Sequence, residues 1–172
     1  RPDVDALKTA GWQGDADGNG VVSVGDTVRY TVALSNGGLV DGITDLIDPI
    51  PAEVASWVLV DDGGGTDFSS PTLLDVQGIL VPAGGVASVV LDVVLADVPD
   101  RTLMSNTATF TDPLTGSPVD AAASDVEIRR DGDGDDVFDL DDDCPTVFDP
   151  AQSDVDLDGA GDACDDCVTV PD

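Results

Sequence analysis

Residues 131–172 hold 16 acidic residues, all of them aspartate, and neither a lysine nor an arginine. This tail has hardly any apolar runs, so it cannot bury enough hydrophobic surface to offset the entropy lost when its backbone is ordered. Repulsion among the carboxylates opposes folding as well. An ordered tail of this composition therefore needs counter-charge, and bound divalent cations are the simplest source.

Oxygen-bearing side chains recur in a fixed register, twice in the tail and once near the start of the chain. Each twelve-residue window carries them at positions 1, 3, 5, 9 and 12, which is the spacing of a calcium loop. In such a loop the position-7 carbonyl completes the ligand set. The predicted ligands are Asp15, Asp17, Asn19, Val21, Ser23 and Asp26 in loop 1, Asp131, Asp133, Asp135, Val137, Asp139 and Asp142 in loop 2, and Asp154, Asp156, Asp158, Ala160, Asp162 and Asp165 in loop 3.

The sharp turn at position 6 of a calcium loop favours glycine. Gly20 and Gly159 supply it, whereas loop 2 has Asp136, which is expected to strain that loop or change its shape. No helical periodicity follows any of the loops, so we expect structural calcium, three or more ions, bound at roughly 10⁻⁴–10⁻³ M. The alternative is a set of acidic turns that attract calcium only weakly.

The segment from Asp131 to Cys167, DGDGDDVFDLDDDCPTVFDPAQSDVDLDGAGDACDDC, contains a Cys-Pro pair, an Asp-Pro-Ala-Gln stretch and a Gly-Asp-Ala-Cys ending. In these features it resembles the thrombospondin type 3 repeats. The resemblance implies calcium ions wrapped by a chain with almost no hydrophobic core, and a disulfide between Cys144 and Cys164. The departures from the family pattern are Asp136 for glycine, Asp143 and Asp149 for asparagine, and Val168 for proline.

A disulfide of this kind stabilises a fold by about 3 kcal/mol in the chain-entropy model and indicates an oxidising compartment. We therefore expect an extracellular or cell-surface protein whose signal peptide has already been removed. Cys167 is left over. It could begin a further repeat, pair with another subunit or remain a free thiol.

Before the tail, apolar residues alternate with polar ones between Gly, Pro, Asn and Asp turns, a pattern typical of half-buried strands. One run, at 89–95, is apolar on both faces, which indicates a central strand. The predicted fold class is all-β: an immunoglobulin-like sandwich at 1–130, with loop 1 inserted, followed by the coreless, calcium-wrapped repeat tail at 131–172. The predicted strands lie at about 3–9, 27–35, 42–48, 55–61, 72–81, 89–95, 104–110 and 121–129.

Residues 1–129 also resemble a conserved repeat of bacterial and archaeal surface proteins, the domain of unknown function 11. The segments that carry the resemblance are DALKT at 5–9, GNGVVSVGDTVRYTVALSNGG at 18–38, DPIP at 48–51 and SNTATFTDPLTG at 105–116. The resemblance implies an immunoglobulin-like sandwich in a cell-surface or secreted structural protein, and it implies no ligand.

One group of residues in the sandwich could form a covalent cross-link. Lys8 is the only lysine in the chain, and Asn106 has the parity of the apolar residues in its predicted strand, so its amide should face the core. Related fimbrial domains join such a lysine to a late-strand asparagine by an isopeptide bond, assisted by a buried acid, for which Asp45 or Asp48 could serve. The alternative is a hydrogen-bonded core asparagine and a surface lysine.

The formal net charge of −30 excludes nucleic-acid binding through phosphate contacts and adsorption to an anionic membrane. No run is long enough for membrane insertion, and no histidine or phosphate loop points to catalysis. We predict a non-enzymatic, calcium-binding structural protein that self-associates into a filament or surface layer, or contacts neighbouring surface domains. The alternative is an adhesin or stalk module of a larger cell-surface protein.

Overall fold

The computed structural model describes residues 1–171, and all of its strands lie between residues 4 and 128. The described chain contains no helix, in agreement with the predicted all-β class. The strands are β1 (Val4–Gly14), β2 (Thr27–Asn36), β3 (Gly42–Pro49), β4 (Val54–Asp62), β5 (Thr66–Asp67), β6 (Leu73–Val81), β7 (Val86–Leu95), β8 (Thr102–Met104), β9 (Thr107–Thr111), β10 (Pro118–Ala122) and β11 (Val126–Ile128).

Two antiparallel sheets form an immunoglobulin-like sandwich, as predicted. The first sheet has the strand order β1-β2-β7-β4, and the second has the order β10-β9-β3-β6-β5. Strands β8 and β11 form a separate two-stranded ribbon. Strand β7 lies between β2 and β4. This is the central position that its apolar character on both faces predicted.

The core is formed by the inward faces of the strands, along which every second residue is apolar. Each large aliphatic side chain buried in this way contributes about 1.5–3 kcal/mol to stability. Tyr30 and Phe110 are the largest fully buried side chains. The fully buried apolar residues of the central strands β2 and β7 are Val28, Tyr30, Val32, Leu34, Val89, Leu91, Val93 and Leu95.

The predicted strand at 104–110 is two strands in the structure. Met104 ends β8, which pairs with β11, whereas Thr107 begins β9, which pairs with β3 and β10. The chain has to leave one ladder before it joins the other, so Ser105 and Asn106 lie between them without strand pairing. The predicted strand at 121–129 divides in the same way, into β10 and β11, because these are the partners of β9 and β8.

The tail contains neither strand nor helix over residues 131–171 and consists of turns and bends. Among the tail residues that the structure describes, only Asp135, Cys144 and Gly161 are buried, so this segment has no hydrophobic core. A disulfide joins Cys144 to Cys164, with their Cα atoms 5.7 Å apart. This is the pairing that the resemblance to thrombospondin type 3 repeats implied. Cys167 is exposed and unpaired within the described chain.

Arginine side chains at the junction attach the tail to the sandwich. The Arg129 Nε donates to Asp100 Oδ1 at 2.8 Å, its Nη2 donates to Asp141 Oδ2 at 2.8 Å, and its guanidinium lies 4.1 Å from the centre of the Phe138 ring. The buried Asp100 also accepts from the backbone N–H of Arg130 at 3.0 Å. Charge-assisted hydrogen bonds of this kind are about twice as strong as neutral ones. The tail therefore leaves the sandwich from a fixed point.

Candidate metal centres

The three predicted calcium loops have the same backbone hydrogen bonds. In each loop the position-1 carboxylate, from Asp15, Asp131 or Asp154, accepts from the position-4 N–H at 2.7 Å and from the position-6 N–H at 3.0 Å. The position-5 side chain accepts from the position-7 N–H at 2.8–2.9 Å in every loop. A short side chain that folds back on its own backbone is the reason that aspartate and asparagine favour such turns.

The loops combine this hydrogen-bonding pattern with a left-handed backbone at position 4 and at position 6. Both are left-handed in all three loops, although the sequence pattern indicated a special turn only at position 6. Glycine adopts this conformation without cost, whereas other residues lose about 1–2 kcal/mol there. The φ angles are 78° at Gly18, 80° at Gly134 and 63° at Leu157 for position 4, and 77° at Gly20, 74° at Asp136 and 97° at Gly159 for position 6.

We expect Leu157→Gly to strengthen calcium binding by loop 3. Leu157 is 84% exposed, so the substitution loses almost no packing and removes the strain of a left-handed leucine. The expected gain is about 1 kcal/mol, or roughly fivefold in calcium affinity, because folding and metal binding are coupled in such loops. Isothermal calorimetry measures it. The matched control is Leu140→Gly, at an exposed tail leucine without a positive φ, which should not raise the affinity.

The position-3 aspartates of loops 2 and 3 are half-buried and have carboxylate oxygens that are buried without a hydrogen-bond partner. Neither carboxylate oxygen of Asp133 has a partner, and Oδ2 of Asp156 has none either. Burial and repulsion from neighbouring carboxylates raise the pKa of both aspartates above the usual range. Buried carboxylate oxygens almost always have partners in native proteins. A divalent cation would supply the missing partner and relieve the repulsion.

The structure brings the carboxylates of positions 1, 3 and 5 together in each tail loop. The oxygens of Asp131, Asp133 and Asp135 lie within 4.8 Å of one another, and the same holds for Asp154, Asp156 and Asp158. These groups could hold a metal ion. An all-oxygen set of carboxylates suits a hard cation such as Ca²⁺ rather than a transition metal.

The aspartates at positions 9 and 12 of the tail loops also have local roles. The position-9 residues Asp139 and Asp162 accept from the N–H of position 2 at 2.6 and 3.0 Å, and Asp139 forms an ion pair with Arg130. The position-12 residues Asp142 and Asp165 each accept, at 2.7 Å, from the N–H two residues later. The Oδ2 atom of Asp142 remains without a partner. The aspartates at positions 9 and 12 thus fix the beginning and the end of each tail loop. Their role as metal ligands stays a prediction. The role of the carbonyls of Val21, Val137 and Ala160 as ligands also stays a prediction.

Loop 1 differs from the tail loops because protein donors already satisfy its carboxylates. Asp17 accepts from the amide side chain of Asn19 at 2.9 Å and from the Ser23 hydroxyl at 3.1 Å. The fully buried Asp26 accepts from the N–H groups of Ala16 and Ser23 at 2.7 and 3.0 Å and from Trp12 Nε1 at 3.2 Å. Asp15, Asp17 and Asp26 are close enough to share an ion. The loop nevertheless has the donors to hold its shape by itself.

Loops 1 and 2 are neighbours in space, which the sequence pattern did not indicate. The N–H of Arg129 donates to the Val22 carbonyl at 3.0 Å, and the N–H of Val24 donates to the Arg129 carbonyl at 3.1 Å. This pairing sets the end of loop 1 beside the start of loop 2. The cleft between them is lined by Asp17, Asn19, Ser23, Arg129, Asp131 and Asp136.

A fourth acidic group lies between loops 2 and 3. Asp143 and Asp149 lie beside Cys144, whose sulfur belongs to the disulfide and is therefore no thiolate ligand. The Oδ1 atom of Asp143 is buried without a partner, and burial followed by repulsion from Asp149 raises the pKa of its carboxyl. Both aspartates stand where the thrombospondin type 3 pattern has asparagine. That departure was the available signal for an additional acidic site.

In the sandwich, the structure buries Lys8, Asp48 and Asn106 but leaves Asp45 exposed. The expectation that Asp45 could be the buried acid is wrong. Asp45 lies on the same face of β3 as Ile43 and Ile47, and this face points outward, since the two isoleucines are 63% and 40% exposed. The alternative of a surface lysine is wrong as well. The Lys8 side chain is completely buried, and its Nζ lies 2.6 Å from Asp48 Oδ2.

No helix in the described part of the chain has the length and apolar character needed to cross a membrane. No family model matches the chain, and no curated protein does. The solved structures to which it is similar include BslA, a bacterial hydrophobin, at 12% identity and a TM-score of 0.47, covering 72% of this chain and 93% of that one.

Two pilins of Corynebacterium diphtheriae are also similar in structure. The full-length major pilin SpaD matches at 18% identity with a TM-score of 0.46, covering 72% of this chain. The major pilin SpaA matches at 17% identity with a TM-score of 0.46, covering 70% of this chain. The chain spans 35% and 37% of the length of these pilins.

Proposed function

We propose that this chain is a secreted, calcium-binding structural protein, whose copies assemble into an extracellular filament or surface layer. The observation that carries the proposal is the pair of tail loops with the same backbone hydrogen bonds and with position-3 carboxylate oxygens, in Asp133 and Asp156, that are buried without a partner. Each of these loops brings together carboxylate oxygens of the kind that bind calcium. The resemblance to thrombospondin type 3 repeats supports the same assignment.

Calcium would supply this tail with the counter-charge and the cross-links that its sequence does not contain. Asp131, Asp133 and Asp135 would hold one ion and Asp154, Asp156 and Asp158 another, with loop 1 as a third site. Three ions lower the formal charge of the chain from −30 to −24. Extracellular modules with affinities of roughly 10⁻⁴–10⁻³ M are filled at the calcium concentrations found outside cells.

The calcium-bound tail would act as a rigid extension of the sandwich. The disulfide between Cys144 and Cys164 holds loops 2 and 3 together. The ion pairs of Arg129 with Asp100 and Asp141 attach the start of the tail to the sandwich. A module built in this way transmits force along its length, which suits a filament or stalk better than a catalyst. The disulfide also supports an extracellular location.

An apolar strip on the outer face of the second sheet supports contact with a second copy of the chain. Ile43 on β3 and Leu80 on β6 are cross-strand neighbours and are 63% and 49% exposed, and Ile47 lies on the same face of β3, two residues beyond the exposed Asp45. Contiguous exposed apolar side chains on a sheet mark interaction sites. The strip lies on the sandwich and not on the acidic tail. Calcium would lower the repulsion between copies further.

Electron microscopy of the purified protein with calcium and with excess chelator tests assembly and its calcium dependence together. We expect filaments or sheets in calcium and dispersed particles in chelator. The double variant Ile43→Lys/Leu80→Lys should assemble poorly, whereas Val58→Lys/Val60→Lys, at exposed valines of β4, is the matched control. Monomers under both conditions would refute self-assembly and favour the adhesin or stalk module. Assemblies that are indifferent to chelator would refute the role of calcium.

A further inference from the structure

The core of the sandwich contains a buried ion pair that lacks the partners it needs. The side chains of Lys8 and Asp48 are completely buried, with Nζ and Oδ2 2.6 Å apart. A lysine ammonium has three donors. The only polar partner that the structure gives it is Asp48, and the ring centre of Tyr30 lies 4.9 Å away. A buried ion pair is stable only when further hydrogen bonds satisfy its remaining donors and acceptors.

Other buried polar side-chain atoms of the sandwich have no hydrogen-bond partner either. They are Oδ1 of Asp48, the hydroxyl of Tyr30, and both Oδ1 and Nδ2 of Asn106. Burial raises the pKa of the Tyr30 hydroxyl, and the charge of Asp48 raises it further. Native cores leave very few buried polar atoms unsatisfied. These atoms therefore call for an explanation.

The strand register brings Asn106 to the same part of the core. Leu46 pairs with Phe110 and Ile47 with Thr109, and one further step of this register sets Asp48 opposite Ala108. Asn106 precedes Ala108 by two residues and is buried like it. Strand β1, which carries Lys8, contacts β9 across the interior. The only lysine of the chain, a buried acid and a carboxamide without partners thus lie in one region.

We propose that Lys8 and Asn106 are joined by an intramolecular isopeptide bond, formed with Asp48 as the catalytic acid and base. Asp48 takes a proton from the Lys8 ammonium, and the neutral amine attacks Cγ of Asn106. A bond forms between Nζ and Cγ, and the bond between Cγ and Nδ2 breaks. Asp48 transfers the second amine proton to the departing nitrogen, so one ammonia is released and no oxidant or other reactant is consumed.

The environment of the pair favours the neutral forms that this reaction needs. Burial lowers the pKa of Lys8, although the charge of Asp48 acts in the opposite direction. Burial likewise raises the pKa of Asp48, although the charge of Lys8 acts to lower it. A desolvated, uncharged lysine is a competent nucleophile. In the product, a protonated Asp48 can donate to the new amide carbonyl, which gives partners to Asp48 and to Asn106 Oδ1, two of the groups that otherwise lack them.

The bond would tie the two sheets together at a mechanically useful position. β1 is an edge strand of the first sheet, and Asn106 leads into β9 of the second. Separating the sheets or peeling away β1 would then require breaking a covalent bond instead of a ladder of hydrogen bonds. This cross-link is independent of calcium, so it goes beyond the proposed function and its test can fail separately.

Mass spectrometry of the reduced, intact protein tests the proposal directly. The expected mass is about 17 Da below that of the sequence, the loss of one ammonia. Asparagine can also lose ammonia by closing a succinimide, so digestion must yield one branched species that contains both the Lys8 peptide and the Asn106 peptide. Asp48→Asn keeps the shape of the side chain without its acid and should have the full sequence mass. A folded wild-type protein at full mass would overturn the bond, and a cross-linked Asp48→Asn variant would overturn the role of Asp48.

Discussion

Removal of calcium is expected to unfold residues 131–171 while the sandwich at residues 4–128 stays folded. The described tail has no hydrophobic core, and buried position-3 carboxylate oxygens in loops 2 and 3 have no hydrogen-bond partner. Without cations, only one disulfide, the junction contacts and the local hydrogen bonds of the loops oppose the repulsion among the carboxylates. At about 10 mM calcium each site would contribute about 1.4–2.7 kcal/mol for the affinities typical of extracellular modules. Hydrogen exchange measured by mass spectrometry, with calcium and with chelator, should show loss of protection in the tail and unchanged protection in β2 and β7.

Point variants separate the loss of specific sites from a general effect of charge. Asp133→Asn and Asp156→Asn each remove one position-3 carboxylate and should reproduce the chelator effect in the corresponding loop while calcium is present. Asp166→Asn removes the same charge at an exposed position outside the three loops and should leave the tail protected. A tail that keeps its protection in chelator, or that responds equally to all three variants, would contradict the assignment of the calcium sites.

The fold was predictable from the sequence to the extent that residue alternation decides it. Strand β2 follows directly from its alternating apolar residues, and β7 follows from a run that is apolar on both faces. The break at Ser105 and Asn106 did not, because it depends on the exchange of partner from β11 to β3 and β10. Alternation also cannot tell which face of a strand is buried when both carry apolar residues. That is why β3 could be read with Ile43 and Ile47 inward and Asp45 beside them, whereas Asp48 has the buried parity.

The positions of the candidate ligands within each metal loop were predictable from the sequence. The backbone conformation of the loops and the contact between loops 1 and 2 were not. Ligand spacing is local, so the positions of the aspartates are visible in the sequence. The left-handed backbone at position 4 was not, because Leu157 is a residue that ordinarily avoids it. The contact of loop 1 with loop 2 depends on the pairing of Val22 and Val24 with Arg129, which is a tertiary contact without a local signal.

The double variant Lys8→Met/Asp48→Leu is expected to lower the stability of the protein by about 5 kcal/mol. An isopeptide bond between residues 8 and 106 closes a loop of about 100 residues, and in the chain-entropy model a cross-link of that span contributes about 5 kcal/mol. The variant cannot form the bond. A loss of this size corresponds to a fall of roughly 10–20 °C in the thermal midpoint of a domain of this length. Differential scanning calorimetry in calcium measures it.

The sign of this change distinguishes the cross-link from an ordinary ion pair. Replacing a buried ion pair by apolar residues of similar shape is commonly neutral, or stabilising by about 1–4 kcal/mol, because the desolvation penalty of both charges disappears. Without the bond, the double variant should therefore be as stable as the wild-type protein or more so. The matched control is Arg29→Met/Asp92→Leu, which removes a partly exposed pair between β2 and β7 and should change stability by less than about 1 kcal/mol. A destabilised core variant beside a neutral control would be explained by the covalent bond, whereas a stabilised core variant would exclude it.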